Sequence, residues 1–407
     1  LQSDIISGTQ LCMLLYEQGI LEQYDATYNA LASGSMRAYD FMIQKISNLE
    51  ITPAQLALDP CSGSVVITDP RTGETLACVT YPGYDNNRLA NNLDTDYFNH
   101  LQEDLSSPMY NKATQERRAP GSTFKIVTAV AGIEEGIVTS NYGVVCDGAF
   151  RFPNSSDFVA CANRYGHGYM NVISGIANSC NDFFGQVAYD LGTDSNGQFS
   201  DSLGMEKLTK YTEMFRLNEK TGLEIEEATP EMATKDVVRS SIGQSDANYT
   251  TSQLARYVTT IASRGTSYDL TLFDKVTDAD GNVLEDYSPE VKGDMDVADS
   301  TWTTVQEGMR GVATRNATLS SLDVAVAGKT GTAQEDYSRP SHGLFIGFAP
   351  YDDPEVAMAV RITNGYTSGN AISVAKDIFS YMYDLEDESA IVTGTANTDN
   401  ITTEQTD

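Results

Sequence analysis

A proline–glycine break followed directly by a serine and an apolar stretch is the feature that most constrains the fold of this chain. Pro120 and Gly121 interrupt any preceding helix or strand, so a new helix can begin at Ser122. Residues 123–135 are apolar and rich in alanine and end before a glycine, which predicts a buried helix. Lys125 lies three residues after Ser122, so the two side chains share one face of that helix.

A hydroxyl and an amine at the start of a helix can form a nucleophile and its base. A serine hydroxyl is inert until another group takes its proton, and a desolvated, unprotonated lysine can do so. The positive end of the helix dipole favours the negative charge that develops there. Serine is also a favoured helix cap, and a lone S-x-x-K more often marks a capped helix with a solvated lysine. The pattern alone leaves both interpretations open.

The charge of the chain limits its partners. Its 407 residues include 57 acidic and 26 basic ones, a formal net charge of -31. Such a chain repels nucleic acid and anionic membrane surfaces, so we expect neither as a main partner, and an anionic substrate needs a local basic pocket. No stretch approaches the ~20 consecutive apolar residues that span a bilayer. The sequence begins at Leu1, so we expect a piece of a longer protein, with an upstream anchor or signal as one alternative.

The cysteines and histidines argue against a metal or redox site. The six cysteines contain no C-x-x-C pair and the three histidines lie far apart in sequence, so we expect no bound metal. Cys146 and Cys161 flank a short polar stretch and form a candidate disulfide if the compartment is oxidising.

The two ends of the chain differ from its middle. Apolar positions recur at helical spacing through residues 11–21 and 36–49, and Pro53 can begin a further short helix, so residues 1–60 are predicted to be a helical region. Residues 386–407 are rich in Thr, Asn, Asp and Glu and contain no basic residue, which predicts a disordered acidic tail.

Residues 61–385 combine strands and helices and are predicted to form the main domain. Residues 64–68 and 75–80 are rich in residues that favour strands, and the Asp-Pro-Arg-Thr-Gly turn between them predicts a hairpin. The same patterns predict further strands at 324–333, 343–349 and 355–363, and helices at 172–177, 183–191, 206–217, 250–263 and 371–383.

A second short pattern, S-x-N, lies between two predicted helices. Ser179 and Asn181 would point the same way if this link is extended, and would offer a hydroxyl and an amide to a common cleft. A helix cap and a turn residue explain an isolated pair equally simply.

A third pattern, K-T-G, lies in the strand predicted at 324–333. The two-residue period of a strand puts Thr330 and Thr332 on one side, with Lys329 leaning to the other. Gly331 lets another backbone or a ligand approach the strand closely.

Each pattern occurs twice, and only context separates the copies. The second copies are 373–376 for S-x-x-K, 368–370 for S-x-N and 220–222 for K-T-G. Lys220 follows a helix and precedes a run of acidic residues, and Ser373 lies inside the last helix with no break before it. Only the first S-x-x-K, the first S-x-N and the K-T-G at 329–331 occur at a helix start, an inter-helix link and a strand.

In this order the three patterns resemble those of penicillin-binding proteins and serine β-lactamases. The resemblance is strongest to penicillin-binding transpeptidases of the class B type and covers about residues 61–385, although Cys180 replaces the aspartate of the second motif. The helical first 60 residues differ from the usual N-terminal region of that class. The resemblance implies an α+β fold, in which an antiparallel sheet of about five strands is covered by N- and C-terminal helices beside an all-helical subdomain that carries the nucleophile.

The resemblance also implies a function. Ser122 would attack the carbonyl between the two terminal D-alanines of a cell-wall stem peptide, and an amine of a second strand would then resolve the acyl-enzyme into a cross-link. β-Lactams would trap the serine, and no cofactor is implied. Such an enzyme works at the extracytoplasmic face of the bacterial cell membrane, with a membrane anchor and other cell-wall synthesis proteins as partners outside this sequence.

The family assigns a role to each matched residue. Lys125 would be the base, helped by burial and by nearby Lys329, while Ser179 would relay a proton to the leaving amine. Asn181 would hold Lys125 and the substrate amide. The backbone N–H groups of Ser122 and Thr332 would form an oxyanion hole. The terminal carboxylate would be bound by Lys329 and by the following residues Thr330, Gly331 and Thr332.

Three related functions stay open from the sequence. A β-lactamase needs a base for hydrolysis, and the segment 213–218 only faintly resembles the E-x-x-L-N of class A enzymes, with one residue too many. A β-lactam sensor would acylate once without turnover, but no signalling segment is evident. A D,D-carboxypeptidase differs only in using water as the acceptor.

Overall fold

The computed structural model describes most of the chain, which divides into two compact units. The described residues are 7–22, 25–48, 50–51, 62–287, 290–335 and 339–392. The first unit comprises Leu1–Cys61, Pro82–Met109 and Glu386–Thr403, and the second comprises Ser62–Tyr81, Tyr110–Leu385 and Glu404–Asp407. No helix in the described ranges is both long enough and apolar enough to cross a membrane.

The described chain contains both helices and strands. The helices are α1 (Gly8–Glu17), α2 (Tyr28–Ala32), α3 (Ala38–Ser47), α4 (Thr95–Glu103), α5 (Lys125–Glu134), α6 (Val172–Ala177), α7 (Asn181–Leu191), α8 (Asp201–Met214), α9 (Val237–Ser241), α10 (Thr251–Ala262), α11 (Asp299–Arg315), α12 (Ala317–Ser320), α13 (Ser368–Met382) and α14 (Glu388–Ile391). The strands are β1 (Ser62–Thr68), β2 (Thr75–Tyr81), β3 (Val144–Cys146), β4 (Ala149–Arg151), β5 (Phe158–Ala160), β6 (Gly168–Met170), β7 (Thr266–Tyr268), β8 (Lys275–Thr277), β9 (Val283–Asp286), β10 (Val291–Asp294), β11 (Ala327–Ala333), β12 (His342–Ala349) and β13 (Val356–Thr363).

The first unit is helical where it is described. Helices α1 and α3 overlap the stretches where the apolar spacing predicts helices, whereas α2 lies between those stretches. A small core in this unit includes Leu15, Tyr16 and Phe41. This unit also contains residues 82–109, which fall inside the main domain predicted from the sequence. The helix predicted after Pro53 lies outside the described residues. Of the predicted tail, 393–407 also lie outside them, whereas Glu388–Ile391 form the short helix α14.

A five-stranded antiparallel sheet organises the second unit, in the order β11-β12-β13-β1-β2. β1 and β2 form the predicted hairpin, and β12 and β13 are buried almost throughout because both faces of the sheet are covered. Helix α13 packs against one face through residues such as Ile372 and Phe379. Helix α10 packs against the other, where Thr259 hydrogen-bonds Thr68 of β1 at 2.6 Å. The sheet is thus covered by a central and a C-terminal helix, and the N-terminal helices α1–α3 belong to the first unit.

The predicted helical subdomain contains α5–α9 and α11. Helix α5 is buried along almost its whole length, and its apolar residues share one core with Phe183 and Phe184 of α7 and Trp302 of α11. The polar stretch between Cys146 and Cys161 contains one short strand pair, β4 with β5, and β3 and β6 pair with each other on either side of it. Strand β11 lies at the edge of the sheet and contacts the turn that precedes α5.

Candidate active site

The segment around Ser122 is fixed by close backbone contacts. Ser122 lies in a turn of 3₁₀ helix, Gly121–Phe124, directly before α5, so the predicted helix begins with a tighter turn. Gly121 has a positive φ of 51°, and a Cβ there would lie 2.9 Å from the carbonyl oxygen of Thr332. A Cβ on Gly243 would lie only 2.1 Å from the carbonyl oxygen of Gly121. Glycine is therefore required at both positions, because only glycine lets β11 and the segment around Gly243 pack this closely against the segment that carries Ser122.

Ser122 opens into a cleft of about 330 Å³. Residues from the helical subdomain, the β5–β6 loop and the edge of the sheet line it: Ser122, Ala160, Cys161, Ala162, Arg164, Ser179, Asn181, Ile242, Gln244, Thr332, Gln334 and Ser341. Gln244 donates from Nε2 to the carbonyl oxygen of Thr332 at 3.2 Å and so ties the wall of the cleft to β11.

Lys125 is completely buried beneath this cleft. Its Nζ lies 2.6 Å from the carbonyl oxygen of Ser179, 2.9 Å from Ser179 Oγ and 2.6 Å from Asn181 Oδ1. The amide of Asn181 donates from Nδ2 to the carbonyl oxygen of Ala160 at 2.8 Å, which turns Oδ1 toward the lysine. The S-x-x-K and S-x-N patterns therefore meet at one amine.

Lys329 reaches the same place from the sheet. It is fully buried on β11, and its Nζ lies 2.9 Å from Ser179 Oγ and 2.9 Å from the carbonyl oxygen of Thr330. Exposure alternates along the second half of β11 as the two-residue period predicts, but the long lysine stem brings its amine to Ser179, which lines the same cleft as Thr332. Ser179 Oγ consequently lies between two lysine amines.

The link that carries Ser179 and Asn181 is not extended, so that prediction is wrong. Ser179 has a positive φ of 51°, Cys180 caps α7, and Asn181 is the first residue of that helix. The two side chains converge on Lys125 because the backbone turns sharply at Ser179, not because a strand-like link aligns them.

Glu335 holds the segment that leads to Ser122, a role that no sequence pattern indicates. Its carboxylate accepts the backbone N–H of Ala119 at 2.9 Å and lies 3.0 Å from Arg118 Nη1 and 3.4 Å from His342 Nε2. Because the N–H of Asn364 donates to His342 Nδ1, Nε2 carries the proton that faces Glu335. Burial alone would raise the pKa of Glu335, but the hydrogen bonds from His342 and Ala119 and the charge of Arg118 lower it to about 2.

Changing Glu335 to glutamine is expected to destabilise the chain by about 1–2 kcal/mol at pH 7. The pKa of this carboxyl is lowered from 4.5 to about 2, so its contribution is complete above about pH 4.5 and is lost as the pH falls toward 2. Urea unfolding of both proteins across this range should show the difference disappearing at the acidic end. The change Glu290→Gln, at a carboxylate that is mostly exposed, is the control; equal pH profiles for the two variants would contradict the assignment.

The second copies of the motifs serve other purposes. The carboxylate of Glu227 accepts hydrogen bonds from the hydroxyl of Thr221, at 2.5 Å, and from the backbone N–H of Gly222. Ser373 lies in α13 and donates to the carbonyl oxygen of Gly369. Glu213, the candidate β-lactamase base, is exposed at the end of α8 and lines a separate pocket. None of these residues lines the cleft of Ser122 in the described chain.

The predicted disulfide between Cys146 and Cys161 is wrong, because both residues are free thiols. They meet His167 and Cys180 instead, and the sulfur and nitrogen atoms of the four lie within 4.8 Å of one another. Cys161 Sγ lies 3.4 Å from His167 Nδ1 and 3.8 Å from Cys180 Sγ. The interaction with the Cys180 side chain lowers the pKa of Cys161.

This cysteine–histidine cluster has the donor set and size of a structural zinc site. Three thiolates and one imidazole are common zinc ligands, and Zn–S bonds of about 2.3 Å place tetrahedral sulfurs roughly 3.8 Å apart. The expectation of no bound metal rested on the absence of C-x-x-C and on histidines far apart in sequence. The cluster argues against that expectation, because its members lie in β3, the β5–β6 loop and the link before α7, which only the fold brings together. Cys161 also accepts the backbone N–H of Asn181 at 3.2 Å, so the cluster supports the S-x-N link.

We expect the purified chain to hold about one zinc ion, and its removal by a chelator to lower the melting temperature by roughly 5–10 °C. The change Cys161→Ala should have the same effect and make the chain insensitive to the chelator. The change Cys78→Ala, at a half-buried thiol outside the cluster, is the matched control. Elemental analysis that finds no zinc in freshly prepared protein, or equal sensitivity of both variants to the chelator, would contradict this site.

The sequence of the chain also matches a known protein family. Residues 63–384 match the family model described as the penicillin binding protein transpeptidase domain. The chain belongs to the penicillin-binding protein transpeptidase family. This membership confirms the resemblance carried by the three motifs.

Individual relatives agree with the family. The peptidoglycan D,D-transpeptidase MrdA of Acinetobacter baumannii is 30% identical over 351 residues, which are 78% of this chain and 50% of that protein. PbpA of Mycolicibacterium smegmatis, also named a peptidoglycan D,D-transpeptidase, is 30% identical over 334 residues, 75% of this chain and 62% of that one. The chain therefore spans about half the length of the MrdA relatives.

A solved structure confirms the predicted α+β architecture. The crystal structure of Pseudomonas aeruginosa PBP2 in complex with WCK 5153 has a TM-score of 0.69 and 28% sequence identity. The aligned region covers 84% of this chain and 74% of the PBP2 chain. The five-stranded sheet and the helical subdomain of this penicillin-binding transpeptidase domain are thus those of its family.

Proposed function

We propose that this chain is a D,D-transpeptidase that cross-links peptidoglycan stem peptides through an acyl-enzyme on Ser122. The observation that carries the proposal is the meeting of all three motifs at one cleft, with Lys125 and Lys329 both in contact with the hydroxyl of Ser179. The names of the MrdA and PbpA relatives support the same reaction.

The contacts of Lys125 suit a base. A neutral amine has two N–H groups and one lone pair. The carbonyl oxygen of Ser179 and Oδ1 of Asn181 can accept both N–H groups, which leaves the lone pair for the hydroxyl of Ser122 one helical turn away. The positive charge of Lys329 on the same Ser179 hydroxyl disfavours a second charge on Lys125.

Ser179 can pass the proton onward. Its Oγ lies 2.9 Å from each of the two amines. When the tetrahedral intermediate collapses, a proton taken from Ser122 by Lys125 can move through this hydroxyl to the departing amine of D-alanine, and the C–N bond breaks as that nitrogen is protonated. In the second half of the reaction the acceptor amine returns a proton along the same path.

The backbone of Ser122 and Thr332 is suited to stabilise the oxyanion. The contact between Gly121 and the carbonyl of Thr332 holds the two segments side by side, so the N–H groups of Ser122 and Thr332 can converge on a substrate oxygen. Loss of one such donor costs about 3 kcal/mol in other acyl-transfer enzymes. A Cβ on Gly331 would lie 3.2 Å from the carbonyl oxygen of Pro120, so this glycine lets β11 lie close to the segment that carries Ser122.

The residues of β11 are suited to bind the terminal carboxylate of the substrate. Lys329 supplies a buried positive charge, and the hydroxyls of Thr330 and Thr332 are partly exposed on the same strand. This provides the local basic pocket that a chain with a net charge of -31 needs for an anionic peptide. The substrate proposed is a stem peptide that ends in D-Ala-D-Ala, at the extracytoplasmic face of the bacterial membrane, with β-lactams as covalent inhibitors.

Labelling with a fluorescent penicillin tests the proposal. We expect the label to be lost in Ser122→Ala and retained in Ser373→Ala, because the second S-x-x-K serine lies on α13 away from Lys125. The intact mass should then show the penicilloyl group leaving slowly, over many minutes, since no base equivalent to that of a β-lactamase lines the described cleft. Labelling that survives in Ser122→Ala, or release within seconds, would overturn the proposal.

A further inference from the structure

Two thiols of the cysteine–histidine cluster lie in direct contact. The sulfurs of Cys161 and Cys180 are 3.8 Å apart, and a disulfide between them would shorten this distance to about 2.05 Å. Both residues are free and buried. The pair comes from two different elements, because Cys161 belongs to the loop after β5 and Cys180 to the link before α7. A bond between these sulfurs would therefore join two parts of the active-site wall.

A small oxidant can reach Cys161 from the cleft of Ser122. Cys161 lines that cleft, and its own surface is only 1% exposed, so the reagent must be little larger than water. Its sulfur accepts the backbone N–H of Asn181 at 3.2 Å, at the start of α7, and lies 3.4 Å from Nδ1 of His167. A helix start and a neighbouring imidazole both favour the thiolate, which is the form that oxidants attack. Oxidation is thus expected to begin at Cys161.

The second sulfur belongs to the motif that holds the catalytic lysine. Cys180 lies between Ser179 and Asn181 in sequence. The hydroxyl of Ser179 lies 2.9 Å from Nζ of Lys125, and Oδ1 of Asn181 lies 2.6 Å from the same atom. A movement of the backbone at Cys180 consequently moves both partners of the lysine.

The two sulfurs also fix this part of the backbone. Cys161 Sγ accepts the N–H of Asn181, and Cys180 Sγ caps α7 by accepting the N–H of Phe183 at 3.4 Å. A disulfide would turn both sulfurs toward each other and pull the link before α7 toward the β5–β6 loop. A shift of about 1 Å in a catalytic group can cost about a hundredfold in rate.

We propose that Cys161 and Cys180 form an oxidation site, at which a peroxide joins the two sulfurs and thereby suppresses the acylation of Ser122. The thiolate of Cys161 attacks one peroxide oxygen, the O–O bond breaks, and the hydroxide that leaves takes up the proton released by Cys161. The thiol of Cys180 then attacks the resulting sulfenic sulfur, whose oxygen departs as water with the thiol proton. Two thiols and one hydrogen peroxide thus give one disulfide and two water molecules.

This modification is reversible, because a thiol reductant returns both cysteines to the reduced state. A zinc ion held by the cluster would use the same two sulfurs as ligands, so formation of the disulfide would release it. The inference rests on the proposed function only in taking Ser122 as the residue that is acylated.

Peroxide treatment followed by penicillin labelling tests this site. The purified chain is treated with millimolar hydrogen peroxide, the excess is removed with catalase, and half of the sample is then reduced with dithiothreitol in the presence of zinc. We expect oxidation to slow the labelling of Ser122 by about a hundredfold and reduction to restore it. Peptide mapping of the oxidised half should identify a disulfide between Cys161 and Cys180.

Three variants are compared, each with its own untreated sample. The change Cys180→Asp puts back the aspartate of the S-D-N motif and cannot form the disulfide, so its labelling rate should not respond to peroxide. The change Cys161→Ser makes the same test at the other sulfur. The change Cys78→Ala, at a half-buried thiol outside the cluster, is the matched control and should lose labelling as the unchanged chain does.

Three results overturn the inference: an unchanged labelling rate after peroxide, a disulfide that joins other cysteines, or an equal loss of labelling in Cys180→Asp. The untreated, unchanged chain separates the two proposals. If it takes up no penicillin on Ser122, the proposed function fails. If it is labelled but its labelling rate ignores the state of Cys161 and Cys180, this inference alone fails.

Discussion

Changing Lys125 to methionine is expected to slow acylation of Ser122 by penicillin by about a thousandfold or more. Positioned general bases contribute about 10²–10⁴ in rate, and here the same amine also orders Ser179 and Asn181. Methionine has a similar length and fills the buried space, so the site should stay packed. Two oxygens that accept from Nζ lose their partner, which is expected to cost about 1–3 kcal/mol in stability.

Stopped-flow acylation with a fluorescent penicillin measures this effect, with thermal unfolding of the same samples to show that they are folded. The control is Lys210→Met, which removes an exposed lysine that pairs with Glu135 and should leave the acylation rate within twofold of the original. An acylation rate for Lys125→Met within tenfold of the original would mean that another group activates Ser122.

Changing Arg361 to methionine is expected to produce the largest loss of stability, about 3–5 kcal/mol. Arg361 lies on β13, is completely buried and donates to the carbonyl oxygens of Glu116 at 2.9 Å and Tyr249 at 2.8 Å. Both acceptors flank the approach to Ser122, and Thr363 of the same strand binds the carboxylate of Glu116 at 2.8 Å. Removing the guanidinium takes away the donor to the buried carbonyl of Glu116, in the segment that leads to the nucleophile, and leaves the carbonyl of Tyr249 with the backbone N–H of Arg118 alone.

Chemical unfolding measures this loss, and penicillin labelling below the transition shows whether the nucleophile segment is still ordered. The change Arg151→Met removes an exposed arginine whose ion pair is open to solvent, and should cost less than about 1 kcal/mol. A similar small cost for Arg361→Met would show that solvent or a neighbouring side chain replaces the guanidinium.

Most strands of the main sheet could be predicted because each is a short run of apolar and β-branched residues bounded by turn residues. Strands β1, β2, β12 and β13 begin and end close to the predicted residues, since a buried strand must keep its apolar side chains in register with its neighbours. The start of the helical segment that contains α5 could also be predicted, because Pro120 and Gly121 interrupt any preceding helix or strand. The motif residues could be chosen among their duplicates because each needs a particular element around it.

Features that depend on contacts between residues far apart in sequence could not be predicted from local patterns. Glu335 accepts a hydrogen bond from a backbone N–H more than 200 residues away, and the cysteine–histidine cluster combines residues of β3, the β5–β6 loop and the link before α7, so no local pattern marks either. The positive φ of Ser179 could not be predicted either, because serine seldom adopts this backbone conformation. The disulfide prediction failed because spacing along the chain does not reveal a third and a fourth partner.

The most direct test of the account is to locate the acyl group after a single turnover with a donor peptide. A thioester analogue that ends in D-alanine is added without acceptor, the reaction is stopped with acid, and the digested chain is mapped by mass spectrometry. The account predicts one acyl adduct on Ser122, which disappears when a D-amino acid acceptor is added while a peptide that ends in that D-amino acid is formed. An adduct on any other residue, or turnover of the peptide without an adduct on Ser122, would contradict it.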